Sequence, residues 1–268
     1  HVIKHTVKEL GMSDLKELFE KGRWYHCFQY ENLISNGTYD IVKYIQYYKF
    51  ENDYGGKTVL DVGCSDGYFS IWMKKHGAER VLGVDSNKYD GSLAFVPSNA
   101  YKHLHEEKYA QYADDYSLFK PVYAQYGLNN SNKLLLMDKL MRLGIEFENG
   151  SVYDLSSFGE FDVVMCNDLL EHLRDPITAI EQLYFATREK CIITVSSAMK
   201  TGWFNRKKAL ALFQGHISGG SFFSLSEEAV RSMCISAGFK KVEVASRFEM
   251  QNRRHGVNNS HFVIHAYK

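Results

Sequence analysis

Residues 57–87, KTVLDVGCSDGYFSIWMKKHGAERVLGVDSN, constrain this chain more than any other stretch, because they read as strand, glycine turn, helix, second strand and then an acid. Val59, Leu60 and Val62 form a short apolar run suited to a buried parallel strand, and Gly63 and Gly67 bracket a turn where backbone approaches a ligand closely. Phe69, Trp72, Met73 and His76 recur at i, i+3, i+4 and i+7, giving a helix one inward face, and Gly77 supplies a left-handed stop. A second apolar run, 81–84, ends at Asp85. In a doubly wound sheet the carboxyl ends of adjacent strands face one crevice, so Asp85 is expected to point at a ligand over the glycine turn. A carboxylate there accepts hydrogen bonds from both hydroxyls of a ribose.

The glycine spacing narrows the ligand. A dinucleotide fingerprint, G-x-G-x-x-G, needs its middle glycine for pyrophosphate on the helix N-terminus, and here Ser65 stands at that position. The segment reads Asp61-x-Gly63-x-x-x-Gly67, with carboxylates at Asp61 and Asp66 around the turn. Two carboxylates repel a pyrophosphate but attract a ligand with an ammonium group and a sulfonium centre. S-adenosylmethionine (SAM) is such a ligand. With VLDVGCSDGYFS as the first motif and Asp85 as the second acidic position, the chain resembles the class I SAM-dependent methyltransferases. The competing reading is a Rossmann-like unit that binds something else.

The rest of the chain extends the half-crevice into a sheet. Residues 145–148 read as a third strand, 161–166 as a fourth, 191–196 as a fifth, 241–244 as a sixth and 261–266 as a seventh. Asp175-Pro176 is a helix start, followed by Ile177, Ile180 and Tyr184 on one face. Ser224 with Glu227 reads as a capping box ahead of Val230, Met233, Cys234 and Ala237. Strands six and seven have no clear helix between them, as an antiparallel final pair would. Alternating elements imply an α/β fold, a doubly wound, mostly parallel seven-stranded sheet. The resemblance adds the strand order 3-2-1-4-5-7-6, with strand seven antiparallel.

At 268 residues, 45% hydrophobic and 24% charged, the chain is long enough to bury a large core as one elaborated domain. It divides into an N-terminal helical extension, 1–56, and a Rossmann-like domain, 57–268, with an insertion over 89–144. Three prolines and the lack of Gly/Ser-rich tracts leave no evident linker. The five cysteines, Cys27, Cys64, Cys166, Cys191 and Cys234, are scattered and read as reduced packing residues. No apolar run reaches the length of a membrane span and no signal-peptide core is seen at the start, so a cytoplasmic enzyme without a membrane partner is expected. A formal net charge of zero weighs against a large polyanion as partner.

Three regions exceed the minimal fold, and specificity is expected there. In the first, 1–56, Leu15, Leu18 and Phe19 suggest one helix and Ile41, Tyr44, Ile45 and Tyr48 another. The second, 89–144, carries Tyr89, Tyr101, Tyr109, Tyr112, Tyr116, Tyr123 and Tyr126, and helices forming a lid are expected within it. The third is 198–223.

The fourth strand leads into FDVVMCNDLLEHLRDP, whose residues 167–172 leave the sheet at the crevice. With the WYH segment upstream, this stretch resembles the subgroup that includes tRNA wobble-uridine carboxymethyltransferase and many small-molecule methyltransferases, over about residues 22–268. The resemblance implies that Gly63, Asp85, Ser86, Val152, Tyr153 and Asn167 line the SAM site and that Trp24 packs on it. Asp61, Ser65 and Gly67 join them from the turn. That subgroup shows an L-Y-H-x-x-x-P pattern after strand four, and a tyrosine there helps to hold the added carboxylate of the carboxymethylating cofactor. Here the position is Glu171, whose charge would repel that carboxylate, which favours plain SAM.

Methyl transfer is an in-line displacement, and a base is needed where the acceptor carries a proton. His172 and Glu171 are the first candidates and His26 the next, although a histidine orienting the loop through its backbone is an equal reading of His172. Tyr25, Arg206, Arg253 and Arg254 are candidates for acceptor binding, since converging cations suit a phosphate or carboxylate. By the resemblance, Arg253 or Arg254 is open to a cofactor role as well. His103 and His105 are of metal-ligand type, but no metal site is expected. The expected activity is O-methylation of a polar small molecule, anionic, phosphorylated or nucleotide-linked. A tRNA-modifying enzyme and a non-catalytic SAM-binding protein are the alternatives.

Overall fold

The apolar runs of the sequence become the inner strands of one sheet. The computed structural model describes residues 11–22, 24–85, 130–196, 199, 202, 205, 207–215 and 221–268. Helix α1 (Met12–Lys21) is followed by four short strands, β1 (Trp24–His26), β2 (Gln29–Tyr30), β3 (Leu33–Ile34) and β4 (Gly37–Tyr39), with β1 parallel to β4 and β2 antiparallel to β3. Then come β5 (Thr58–Val62), α2 (Tyr68–Lys75), β6 (Arg80–Asp85), α3 (Asn130–Met141), β7 (Glu146–Asn149), β8 (Phe161–Asn167), α4 (Pro176–Ala186) and β9 (Thr187–Val195). A small antiparallel pair, β10 (Ala211–Phe213) and β11 (Phe223–Leu225), precedes α5 (Glu227–Ala237), β12 (Lys241–Asn252) and β13 (Val257–Tyr267).

The main sheet has the order β12-β13-β9-β8-β5-β6-β7. Counted among its own strands from the other edge this is 3-2-1-4-5-7-6. The five strands from β7 to β9 are parallel and β13 is antiparallel to both neighbours, as expected. Two cores cover the two faces. One joins Val59, Val81, Val163 and Ile192 to Phe69 and Met73 of α2, Leu134 and Met137 of α3, and Leu15, Phe19 and Tyr48 of the N-terminal segment. The other packs Leu60, Val62, Val164 and Ile193 against Ile180 and Leu183 of α4 and Val230 and Cys234 of α5.

Several local expectations give way. Residues 41–48 form two 3-10 turns, Ile41–Lys43 and Ile45–Tyr47, rather than an α-helix. The ribbon of β12 and β13 ties down the end of this segment: Ser246 Oγ donates to the Tyr47 carbonyl and His265 Nε2 bonds the Tyr48 carbonyl at 3.0 Å. That ribbon runs to Asn252 and back from Val257, well past the expected 241–244 and 261–266. The helix cap is Ser226, which accepts from Ala229 N at 3.2 Å, because Ser224 is paired within β11 opposite Leu212. Ile177 is exposed, and Ala179, Ile180, Leu183 and Ala186 make the buried face of α4.

All five cysteines are buried free thiols. Among the described residues no helix is long and apolar enough to cross a membrane, and no group of three or more His, Cys, Asp or Glu could hold a metal ion. The tyrosine-rich lid expected within 89–144, apart from 130–144, lies outside the described residues, as does the His103 and His105 pair.

Candidate active site

β5 delivers the chain into a turn built from left-handed residues: Gly63 at φ 74°, Ser65 at φ 50° and Gly67 at φ 84°, the last serving as N-cap of α2. The turn is pinned to β6, since Gly63 N donates to the Val84 carbonyl at 2.8 Å and Ser65 N donates to Asp85 Oδ2 at 2.7 Å. A Cβ on Gly63 would stand 3.0 Å from Leu169 Cδ2, so a residue that follows β8 closes over this glycine. Turn, acid and β8 tip therefore meet at the carboxyl end of the sheet, where a doubly wound fold places its ligand.

The other two carboxylates of the turn do not face that crevice. Asp61 is buried and accepts from Ser70 Oγ at 2.6 Å, and burial raises its carboxyl to about 6. Asp66 is fully buried and accepts from Tyr25 N at 2.9 Å, His26 N at 2.8 Å and His26 Nδ1 at 2.5 Å. Burial alone would push Asp66 up, but the charge and hydrogen bonds of His26 carry it below the usual carboxylate range. The attraction for a sulfonium that the sequence assigned to Asp61 and Asp66 is thus spent inside the fold. Sequence reading missed this anchoring role of Asp66, for which an acid three residues after the first glycine is no signal.

The tip of β8 carries the remaining polar groups. Asn167 Oδ1 accepts from Thr194 Oγ1 at 2.9 Å, while its Nδ2 is buried without a partner. Asp168, at φ 50°, has an unpartnered buried Oδ1, and its Oδ2 lies 3.7 Å from His261 Nε2. Burial lifts its carboxyl to about 7, against the opposing charges of His26 and His172. Glu171 is wholly buried in a 3-10 turn, Leu170–His172; Oε1 accepts from Ser196 N at 2.9 Å and from Ser196 Oγ, and Oε2 has no partner. Glu171 faces inward, as repulsion of a cofactor carboxylate requires, but burial raises its carboxyl and so weakens that repulsion. Asp168 carries one signal in the sequence, a carboxylate at the carboxyl end of a central strand, and no role is assigned to it there.

The other candidates scatter. Trp24 is 2% exposed, donates from its indole to the Phe19 carbonyl at 2.8 Å and packs against Phe19 and Phe28, so it belongs to the N-terminal core rather than to the crevice. Tyr25 is 37% exposed, its ring 5.0 Å from that of Tyr39. Val152 is buried in the core, and Tyr153 is partly open with its hydroxyl accepting from Asp175 N at 3.3 Å. Arg253 turns to the N-terminal strands, donating to Cys27 Sγ at 2.7 Å and to the Gly37 carbonyl at 3.3 Å. Arg254 is exposed at the ribbon turn, and Ser86 and Arg206 lie outside the described residues. A separate depression of about 520 Å³ lies between α1, the β2–β3 hairpin and the ends of α2 and α3, away from all these groups.

Known proteins match this arrangement. The chain is 24% identical over 199 residues to a tRNA U34 carboxymethyltransferase of Campylobacter jejuni (strain RM1221), covering 73% of this chain and 53% of that protein. It is 30% identical over 128 residues to a protein of the same name from Alteromonas mediterranea, covering 48% of this chain and 28% of that one. The chain spans about half the length of the curated relatives it matches. Among solved structures, the N-terminal domain of EvdMO1 in the presence of SAH and D-fucose superposes with a TM-score of 0.56 at 14% identity, over 96% of this chain and 94% of that one. Magnesium protoporphyrin IX methyltransferase of Synechocystis PCC 6803 with bound SAH gives 0.51 at 18% identity, over 85% and 81%. These structural likenesses establish the fold. The glycine turn, its acid and the β8 tip all fall within residues 34–244, the span matched by the family model described as a methyltransferase domain, and the chain belongs to that family of SAM-dependent methyltransferases.

Proposed function

We propose that this chain transfers the methyl group of SAM to a hydroxyl oxygen of a polar small molecule. The observation that carries this reading is the group of titratable side chains beside the crevice: Asp168 and the buried Glu171 at the β8 tip, with His26 and His172 within electrostatic reach of Asp168. Asp168, which burial lifts to about 7, and an imidazole in its reach suit removal of a hydroxyl proton beside a ligand crevice.

The residues present fit the donor. Gly63, with no side chain, lets the turn pass close under Leu169, Asp85 stands next to the turn to receive a ribose, and Asn167 Nδ2 and Asp168 Oδ1 are buried polar atoms that lack a protein partner. Gly63, Ser65, Gly67, Asp85 and Asn167 would hold the cofactor. When bound, SAM supplies an electrophilic methyl on a sulfonium. The protein's own work is to align the acceptor hydroxyl with that methyl, keep water out and take up the proton.

An uncharged acceptor suits this crevice better than the anionic one expected from the basic residues. Arg253 is committed to Cys27 and Gly37, while the acids Asp85, Asp168 and Glu171 stand at and just beyond the carboxyl ends of β6 and β8. Calorimetry with SAM, then a mass-spectrometric screen with sugars, phenols, phosphorylated metabolites and tRNA, tests the proposal. SAM binding with single methylation of a hydroxyl compound is expected. Absence of SAM binding would overturn it, and methylation of tRNA alone would overturn the small-molecule acceptor.

A further inference from the structure

Asp66 sits between the two glycines of the turn yet spends all its bonding capacity on the N-terminal strand β1. One oxygen accepts two successive backbone N–H groups, from Tyr25 and His26, and the other takes His26 Nδ1 at 2.5 Å. Both side chains are nearly sealed, at 7% for His26 and 1% for Asp66. The imidazole is wedged edge-on against Phe69 and Tyr25 and tilted against Tyr68, with ring centroids at 5.5, 4.8 and 5.4 Å, so its plane is fixed. Among the described residues, Nε2 has no hydrogen-bond partner. A carboxylate on one ring nitrogen and an unengaged second nitrogen is the arrangement that turns a histidine into a directed base.

We propose that Asp66 is a positioning residue that holds His26 with its proton on Nδ1, so that Nε2 takes the proton of the acceptor hydroxyl during methyl transfer. This rests on the proposed O-methyl transfer and names the base for it. In the step, the acceptor O–H bond breaks, the proton goes to His26 Nε2, and the acceptor oxygen bonds the methyl carbon. The methyl–sulfur bond breaks as that bond forms and its electron pair stays on sulfur, leaving S-adenosylhomocysteine; the imidazolium then returns its proton to water. The charged and titratable groups around His26 are Asp66 on the turn, Asp61 on β5, Asp168 after β8, Tyr68 on α2 and Tyr25 on β1, with Lys133 of α3 acting on Asp66. The imidazolium formed in the step is met by carboxylates on more than one side. The same contacts tie the acceptor wall to the cofactor turn.

The test is imidazole ¹⁵N NMR on the full chain with labelled histidine, His26 being assigned among the eleven histidines by its loss in His26→Gln. Neutral His26 is expected as the Nδ1–H tautomer in the wild type. In Asp66→Asn, where the carboxylate that accepts from Nδ1 is gone, the share of the Nδ1–H tautomer should fall, while SAM binding by calorimetry persists. A wild-type Nε2–H tautomer, or a tautomer share unchanged in Asp66→Asn, would overturn the proposal even with SAM bound. The wild-type tautomer decides the matter alone where Asp66→Asn does not fold, and failure of the wild type to bind SAM would strike the proposed function instead.

Discussion

Leu134 Cδ1 stands 2.2 Å from the point where a Cβ on Gly67 would lie. Helix α3 is thereby pressed onto the turn that caps α2, and residue 67 is closed to any side chain on two counts, space and a φ of 84°. Gly67→Ala should cost roughly 1–2 kcal/mol for the left-handed backbone and roughly 1–3 kcal/mol for overpacking. Adding Leu134→Ala should return the steric part alone, so urea unfolding of the two single variants and the double variant should show a favourable coupling. Strict additivity would mean that α3 does not press on the turn.

Asp85 Oδ2 accepts from Ser65 N at 2.7 Å, and the proposed cofactor site sets the ribose against the same carboxylate. Asp85→Ala removes charged hydrogen bonds worth about 1.5–3 kcal/mol each, so SAM affinity should fall by about 10- to 100-fold in calorimetry with the fold retained. An unchanged affinity would remove Asp85 from the cofactor site.

Buried acids make stability depend on pH in a stated direction. Burial raises Asp61 to about 6 and Asp168 to about 7, from an ordinary value of 3.8, so their protonated forms are favoured in the folded state. Their contribution is complete below about pH 4 and is lost as pH rises through 6 to 7. Asp168→Asn should abolish the upper part of this loss and raise stability at pH 8 by up to about 4 kcal/mol, while activity falls. His265 works in the opposite sense: burial lowers it to about 4, so its contribution holds above 6.5 and disappears as pH falls through 4. Urea midpoints from pH 4 to 8 for the wild type and Asp168→Asn check both limbs.

The sheet was legible because β5, β6, β8 and β9 are buried on both faces and must be apolar runs, which the sequence displays directly. Asp85 was legible for a related reason: strand, glycine turn, helix and strand leave one geometry for an acid at the second strand's end. The orientation of Asp61 and Asp66 was not, since it depends on Ser70 and on a strand some forty residues upstream. Nor was the 41–48 segment, whose helical spacing is real but whose end is tied to β12 and β13 from the far end of the chain.

Trp24 separates a core role from a cofactor role. Its indole is bonded to the Phe19 carbonyl and its rings fill the space between Phe19 and Phe28, with 2% of its surface exposed. Trp24→Ala should therefore lower stability by about 3–5 kcal/mol through the cavity it leaves. Trp24→Phe should cost less, mainly the lost hydrogen bond of about 1 kcal/mol and the shape mismatch. SAM affinity should be unchanged in Trp24→Phe at a temperature where the variant is fully folded, because the indole is committed to the Phe19 carbonyl and to the rings of Phe19 and Phe28. Thermal unfolding and calorimetry on the same samples decide it: weaker SAM binding at unchanged stability would put the indole in the crevice, whereas lost stability at unchanged affinity puts it in the core that holds β1, and with it His26, against the turn.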